Sequence, residues 1–187
     1  MRWLALLVVG WAIVLVQSTF GRVLVLEDFV AGPIGPDMMI ALLVLLGLNG
    51  KKTGEVCSGA MVLGLMVDLT TAGGVDGLTR VGPMMLAYGL GMYVIQMMRE
   101  AVYRDSLFPV AILSGLVALV THTTWIILQH LFADGGSFSA VLGSLAQVIC
   151  SAVYTAVIVP WVYWILRGAT TWILPSQPTE RRRSRRG

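Results

Sequence analysis

Six long apolar runs, separated by short polar or glycine-bearing segments, set the pattern of the chain. They cover Trp3–Phe20, Met38–Leu48, Val56–Leu69, Gly82–Met98, Leu107–Phe132 and Ala140–Leu166. A helix that crosses the hydrocarbon core of a bilayer needs about 20 mostly apolar residues. The pattern therefore predicts an all-α, polytopic membrane bundle of six transmembrane helices over residues 1–174, followed by a tail at 175–187. The last two runs exceed a straight crossing and are expected to tilt or to extend past the interface. The second and third fall short of one. Gly47, Asn49, Gly50, Lys51, Lys52 and Gly54 between them read as a tight turn. Two short spans packed inside a bundle, or a re-entrant hairpin covered by protein, would both suit this stretch.

Composition agrees with lipid as the main solvent. Hydrophobic residues make up 57% of the 187, charged residues 12%, and the mean hydropathy is +0.81. A soluble domain carries about 25% charged residues. The two cysteines, Cys57 and Cys150, lie inside apolar runs, too few for a disulfide framework or a cysteine metal site. They read as small buried residues.

The charges orient the spans. With the N-terminus in the cytoplasm, 11 of the 13 Lys and Arg fall on the cytoplasmic side, and only Arg22 and Arg80 fall outside. That bias places both termini inside. Glu27, Asp28, Asp37, Asp68, Asp76 and Asp134 gather towards the outer face. Arg2 before an apolar stretch also resembles a signal peptide, but Val16–Phe20 offers no clean small-x-small cleavage site, so a retained first span is expected. Pro175 and Pro178 end the last helix. The five arginines beyond them suit a disordered tail touching anionic lipid heads, at about 1 kcal/mol per basic residue near the surface. The basic pI of 9.1 belongs to this tail, not to a nucleic-acid-binding face.

No catalytic motif is present: there is no phosphate-cradling glycine loop, no H-E-x-x-H and no Cys-x-x-Cys, and no cofactor or metal is expected. Polar residues within apolar runs are functional candidates because lipid makes them costly. Asp68 stands first. Ala60, Gly64 and Asp68 share one helix face, and the small residues allow a neighbouring helix to approach closely. The carboxylate could face a partner, or be satisfied by nearby backbone or Arg80. Asp37, after Pro36, suits the first turn of the second helix. His122 lies mid-span between Thr121 and Thr123, where a proton relay or a hydrogen bond to a neighbouring helix is open to it. Gln129 and Gln147 read as packing polar groups. The glycine-rich stretch from Thr71 to Leu78 reads as a tight outer loop.

Gly64-Leu65-Met66-Val67-Asp68-Leu69, the glycine-rich turn through Gly77-Leu78, and the run with Tyr88, Gly89 and Gly91 together resemble the central signature of the rod shape-determining MreD family. Pro36-Asp37 is similar to that family's Pro-Asp at the head of the second span. The resemblance is densest over Gly35–Arg99. It implies a bundle similar to the substrate-binding subunits of energy-coupling-factor transporters. It also implies a non-enzymatic role in the bacterial inner membrane beside MreC, the actin-like MreB, the glycosyltransferase RodA and a class B penicillin-binding transpeptidase. Pro36, Asp37, Ala60, Gly64, Asp68, Gly77 and Gly89 are then partner-binding or structural positions, with His122, Gln129 and Gln147 the intramembrane polar set.

Three function classes follow. The first is a scaffold that docks MreC in grooves lined by residues such as Ala60 and Gly64. The second is a solute-binding subunit of an energy-coupling-factor vitamin transporter, against which stands the missing alanine-x-x-x-alanine face on the first span. The third is an enzyme or ion-coupled carrier, which would require Asp68 and His122 to meet.

Overall fold

A computed structural model describes residues 2–26, 34–50, 52–70, 81–99, 107–132 and 138–169. The described residues form six α-helices: α1 (Trp3–Leu24), α2 (Met39–Asn49), α3 (Thr53–Thr70), α4 (Pro83–Met98), α5 (Leu107–Phe132) and α6 (Phe138–Leu166), with a 3₁₀ turn at Arg167–Ala169. Each apolar run became one helix. The third begins a turn earlier than its apolar run, because Thr53 and Glu55 tolerate the first turn and a carboxylate is favoured there. The arginine tail and Gly77 lie outside the described residues.

The burial pattern is that of a membrane protein. Trp11, Leu15, Val153, Trp161, Trp164 and Ile165 are exposed, while Asp37, Asp68, Ser114, Thr121, Gln129 and Thr155 are buried. Water would penalise that arrangement; lipid favours it. Four helices, α1, α3, α5 and α6, are long and apolar enough to cross a bilayer. Cys57 and Cys150 are free and only half-buried, because their helix faces turn partly outward.

The centre of the bundle is α2. Every residue from Met39 to Leu48 is buried, most of them completely. Its 11 residues span only about 16 Å at 1.5 Å per residue, half a hydrocarbon core of about 30 Å. The stretch before it is not helical. Leu26 and Ile34 exchange two backbone hydrogen bonds as an isolated bridge, and Ile34, Pro36 and Asp37 are buried. This irregular backbone is covered by α6: the Ser151 hydroxyl donates to the Gly35 carbonyl at 2.9 Å, and the Asp37 amide donates to Thr155 Oγ1 at 3.1 Å. Such backbone is tolerated at membrane depth only where protein satisfies it. A helix that is apolar all round and too short to cross by itself therefore sits where five other helices surround it.

α2 packs on α4, α5 and α6, and more lightly on α1 and α3. α4 runs in the same direction as α2, since Tyr88 reaches the start of α2 while Gln96 and Arg99 reach its end. α3 returns between them. Gly47 makes the α2–α4 approach possible: a Cβ there would stand 2.3 Å from Ile95 Cγ2. α1 lies at the periphery, against α3 and α2, with Leu4, Val8, Trp11 and Leu15 exposed along one side.

Candidate functional site

The start of α2 gathers polar groups from three other helices. Asp37 is 6% exposed. Its Oδ1 accepts the Met39 amide at 3.0 Å, so the carboxylate caps the helix it precedes. Pro36 sets the turn before it and leaves no amide to satisfy. Oδ2 accepts the Tyr88 hydroxyl of α4 at 2.8 Å and lies 3.6 Å from His122 Nε2 of α5. That last distance lies beyond hydrogen-bond range. Thr155 of α6 completes the cluster through the Asp37 amide. A negative charge here faces the positive end of the α2 dipole, which favours it.

The other end of α2 is completed by one amide side chain of α4 and by the cation that caps α4. Gln96 Nε2 donates to the Gly47 carbonyl at 2.8 Å, and Arg99 Nη1 donates to the Gly50 carbonyl at 3.2 Å. These are carbonyls that the helix cannot satisfy itself. Arg99 also donates to Gln96 Oε1 at 3.1 Å, which fixes the amide's orientation. The buried helix thus carries an acid at its positive end and a base at its negative end.

Asp68 repeats the device between α3 and α4. Its Oδ2 accepts the amides of Gly82 at 2.8 Å, Met84 at 3.1 Å and Met85 at 3.3 Å. Pro83 at the first turn of α4 brings no amide, and Gly82 adopts φ 126°, which a side chain would oppose. A residue from the end of α3 therefore supplies the cap that the sequence before α4 lacks. Satisfaction by backbone is the alternative realised for Asp68.

The face shared by Ala60, Gly64 and Asp68 is closed. Ala60 is fully buried, and a Cβ on Gly64 would stand 2.5 Å from the Met84 carbonyl oxygen and 2.6 Å from Met85 Cα. The groove expected for a partner is occupied by α4 itself, because two residues without bulk admit the backbone of the next helix in the same chain. Gly89 faces the flexible Met61 side chain, with Cγ at 3.1 Å from a Cβ placed there. Gln129 is buried and Gln147 half-buried.

Asp68 and His122 are not brought together: Asp68 is spent on α4, and the carboxylate facing His122 is Asp37. Tyr88, Thr155, Ser151, Gln96 and Arg99 were not singled out as site residues from sequence. Ser151 and Thr155, and Gln96 and Arg99, do sit at helical spacings of four and three in otherwise apolar helices, which is the signal they carried. Among the described residues no group of three His, Cys, Asp or Glu side chains is placed to hold a metal ion.

The chain matches no protein-family model, no curated protein and no solved structure. The resemblance to the MreD family thus rests on the motif residues alone.

Proposed function

We propose that this protein is a non-enzymatic scaffold of the MreD type, a bundle of six crossings with both termini cytoplasmic in the bacterial inner membrane. It docks MreC and through it supports MreB, RodA and the class B transpeptidase in peptidoglycan synthesis along the cell cylinder. Its helix arrangement is of the kind used by substrate-binding subunits of energy-coupling-factor transporters.

One observation carries this reading. The residues that resemble the family signature are consumed in architecture: Asp37 caps the buried α2, Asp68 caps α4, and Gly64 admits the α4 backbone. Carboxylates tied to backbone amides stabilise a rigid frame and are poorly placed to turn over a substrate. What the described part of the bundle offers to a partner is its apolar exterior, including the exposed side of α1. A single-span protein is recognised through such a surface by close packing in lipid.

The test is co-purification of MreC with the tagged protein from bacterial membranes, together with cell width after depletion. Retention of MreC and loss of rod shape are expected. Normal width on depletion and no MreC in the eluate would sink the proposal. Tight binding of a vitamin by the purified protein would favour the transporter subunit instead. Reporter fusions at both ends test the orientation, and a periplasmic signal from either end contradicts it.

A further inference from the structure

Two parallel helices leave a groove at one end of the bundle. Contacts advance together along α1 and α3: a Cβ on Gly10 would meet Leu63 and Met66, and further on Val14, Gln17 and Ser18 line the groove with Val67 and Thr70. Its volume is about 160 Å³, room for about five waters at about 30 Å³ each. Thr70 is the last residue of α3, whose 18 residues reach about 27 Å at 1.5 Å per residue, close to a hydrocarbon core of about 30 Å. The groove therefore lies at the edge of the hydrocarbon, where lipid headgroups begin. Leu15 and Leu69, 60% and 65% exposed, flank it, so it opens towards lipid.

The polar atoms in the groove are mostly acceptors. The Ser18 hydroxyl donates to the Leu15 carbonyl at 2.9 Å, and the Thr70 hydroxyl to the Met66 and Val67 carbonyls at 2.9 and 3.0 Å. Each has spent its hydrogen on its own helix and keeps oxygen lone pairs. Gln17 is half-buried, and among the described residues no hydrogen bond reaches its amide. Three acceptor oxygens and one amide donor thus stand open, with no charged side chain among the lining residues. Thr70 also lies in the last turn of α3, which carries no basic residue, so the negative end of the helix dipole faces the groove. Such a lining favours a cation with several hydrogens to donate and disfavours an anion.

We propose that this groove binds the headgroup of a phospholipid bearing a primary ammonium, of the phosphatidylethanolamine kind. An ammonium has three hydrogens to donate and no lone pair, which matches the oxygens of Gln17, Ser18 and Thr70 in number and direction of donation. The adjoining phosphate accepts from the Gln17 amide, and the acyl chains continue along the apolar side of α1 past Leu15. A choline headgroup has the same charge but no N–H to give. The inference stands apart from the scaffold reading, because no part of it involves MreC.

Native mass spectrometry of the full chain in detergent tests it, with dioleoyl phosphatidylethanolamine and dioleoyl phosphatidylcholine titrated separately. The two lipids share chains and phosphate, so attraction to the arginine tail cancels in their ratio. The ethanolamine lipid is expected to bind at least about fivefold more tightly. Gln17→Leu should lower that ratio about threefold, and the double variant Ser18→Ala, Thr70→Val should bring it within about twofold of equality. All three side chains are exposed or half-buried, so either variant serves if the other does not fold. Equal binding of the two lipids by the parent chain overturns the proposal. So does a preference that neither variant reduces. Soluble O-phosphoethanolamine, offered alone, should form no adduct, and an adduct as tight as that of the lipid would overturn the lipid source.

Discussion

The Tyr88 hydroxyl donates to Asp37 Oδ2 at 2.8 Å, joining α4 to the start of α2, a helix buried from Met39 to Leu48. Tyr88 is 1% exposed, so its loss cannot be made good by solvent. Tyr88→Phe keeps the ring and removes one donor to a charged acceptor. Hydrogen bonds to charged groups contribute about 1.5–3 kcal/mol in water-soluble proteins and about 1 in membrane bundles, so a loss of about 1–3 kcal/mol is expected. Unfolding by SDS titration in mixed micelles measures it. A variant as stable as the parent would mean that the contact contributes nothing.

Gly64 and Gly89 face opposite fates on gaining a methyl group. At Gly64 the new Cβ meets backbone, the Met84 carbonyl and Met85 Cα, which cannot rotate away. At Gly89 it meets only Cγ and Sδ of Met61, at 3.1 and 3.8 Å, in a flexible side chain that can shift by a few tenths of an ångström. Gly64→Ala should cost about 1–3 kcal/mol as an overpacked contact. Gly89→Ala should stay within about 0.5 kcal/mol, as substitutions that touch no such feature do. Side-by-side melting in detergent separates the two, and equal effects would contradict the close α3–α4 approach.

This contrast shows what sequence could and could not carry. The helices were legible because burial in lipid needs only long apolar runs, and six runs gave six helices. Asp37 and Pro36 at the head of α2 were legible because capping is local. The short α2 was legible as an anomaly of length but not as a central element, since its neighbours are set by packing rather than by its own residues. The Asp37 cluster was not legible at all. Tyr88 and His122 lie 51 and 85 positions away, and no spacing rule ties them to Asp37. The Ala60–Gly64 face was visible as a contact surface, but periodicity cannot say whether the partner is another protein or the next helix.

Asp68 should behave as a cap rather than as a binding group. Asp68→Ala leaves the Gly82, Met84 and Met85 amides without their acceptor at a half-buried helix start. The cap loss is about 0.5–2 kcal/mol, and three amides sharing one buried carboxylate place the expected cost in the upper part of that range. Asp68→Asn retains one oxygen and should lose about half as much. If MreC retention falls in these variants, it should fall in proportion to bundle stability, and stabilising lipid should restore it. MreC loss from a bundle of unchanged stability would instead mark Asp68 as a contact.

The last test concerns the far end of α2, where Gln96 and Arg99 act as a unit. Gln96 satisfies the Gly47 carbonyl, Arg99 the Gly50 carbonyl, and the guanidinium also holds the Gln96 amide in place. Gln96→Leu should cost about 1 kcal/mol by stranding a carbonyl in the bundle. Arg99→Ala should cost about 1 kcal/mol, through the helix dipole and the lost donor. Because the two share a hydrogen bond, the double variant should cost less than the sum of the singles, by about 0.5–1 kcal/mol. Additivity would mean that Arg99 does not orient Gln96. The sign of the coupling also bears on the architecture: a buried helix half a membrane long keeps its place only if both ends are held, and α4 holds both, through Tyr88 at one end and this pair at the other.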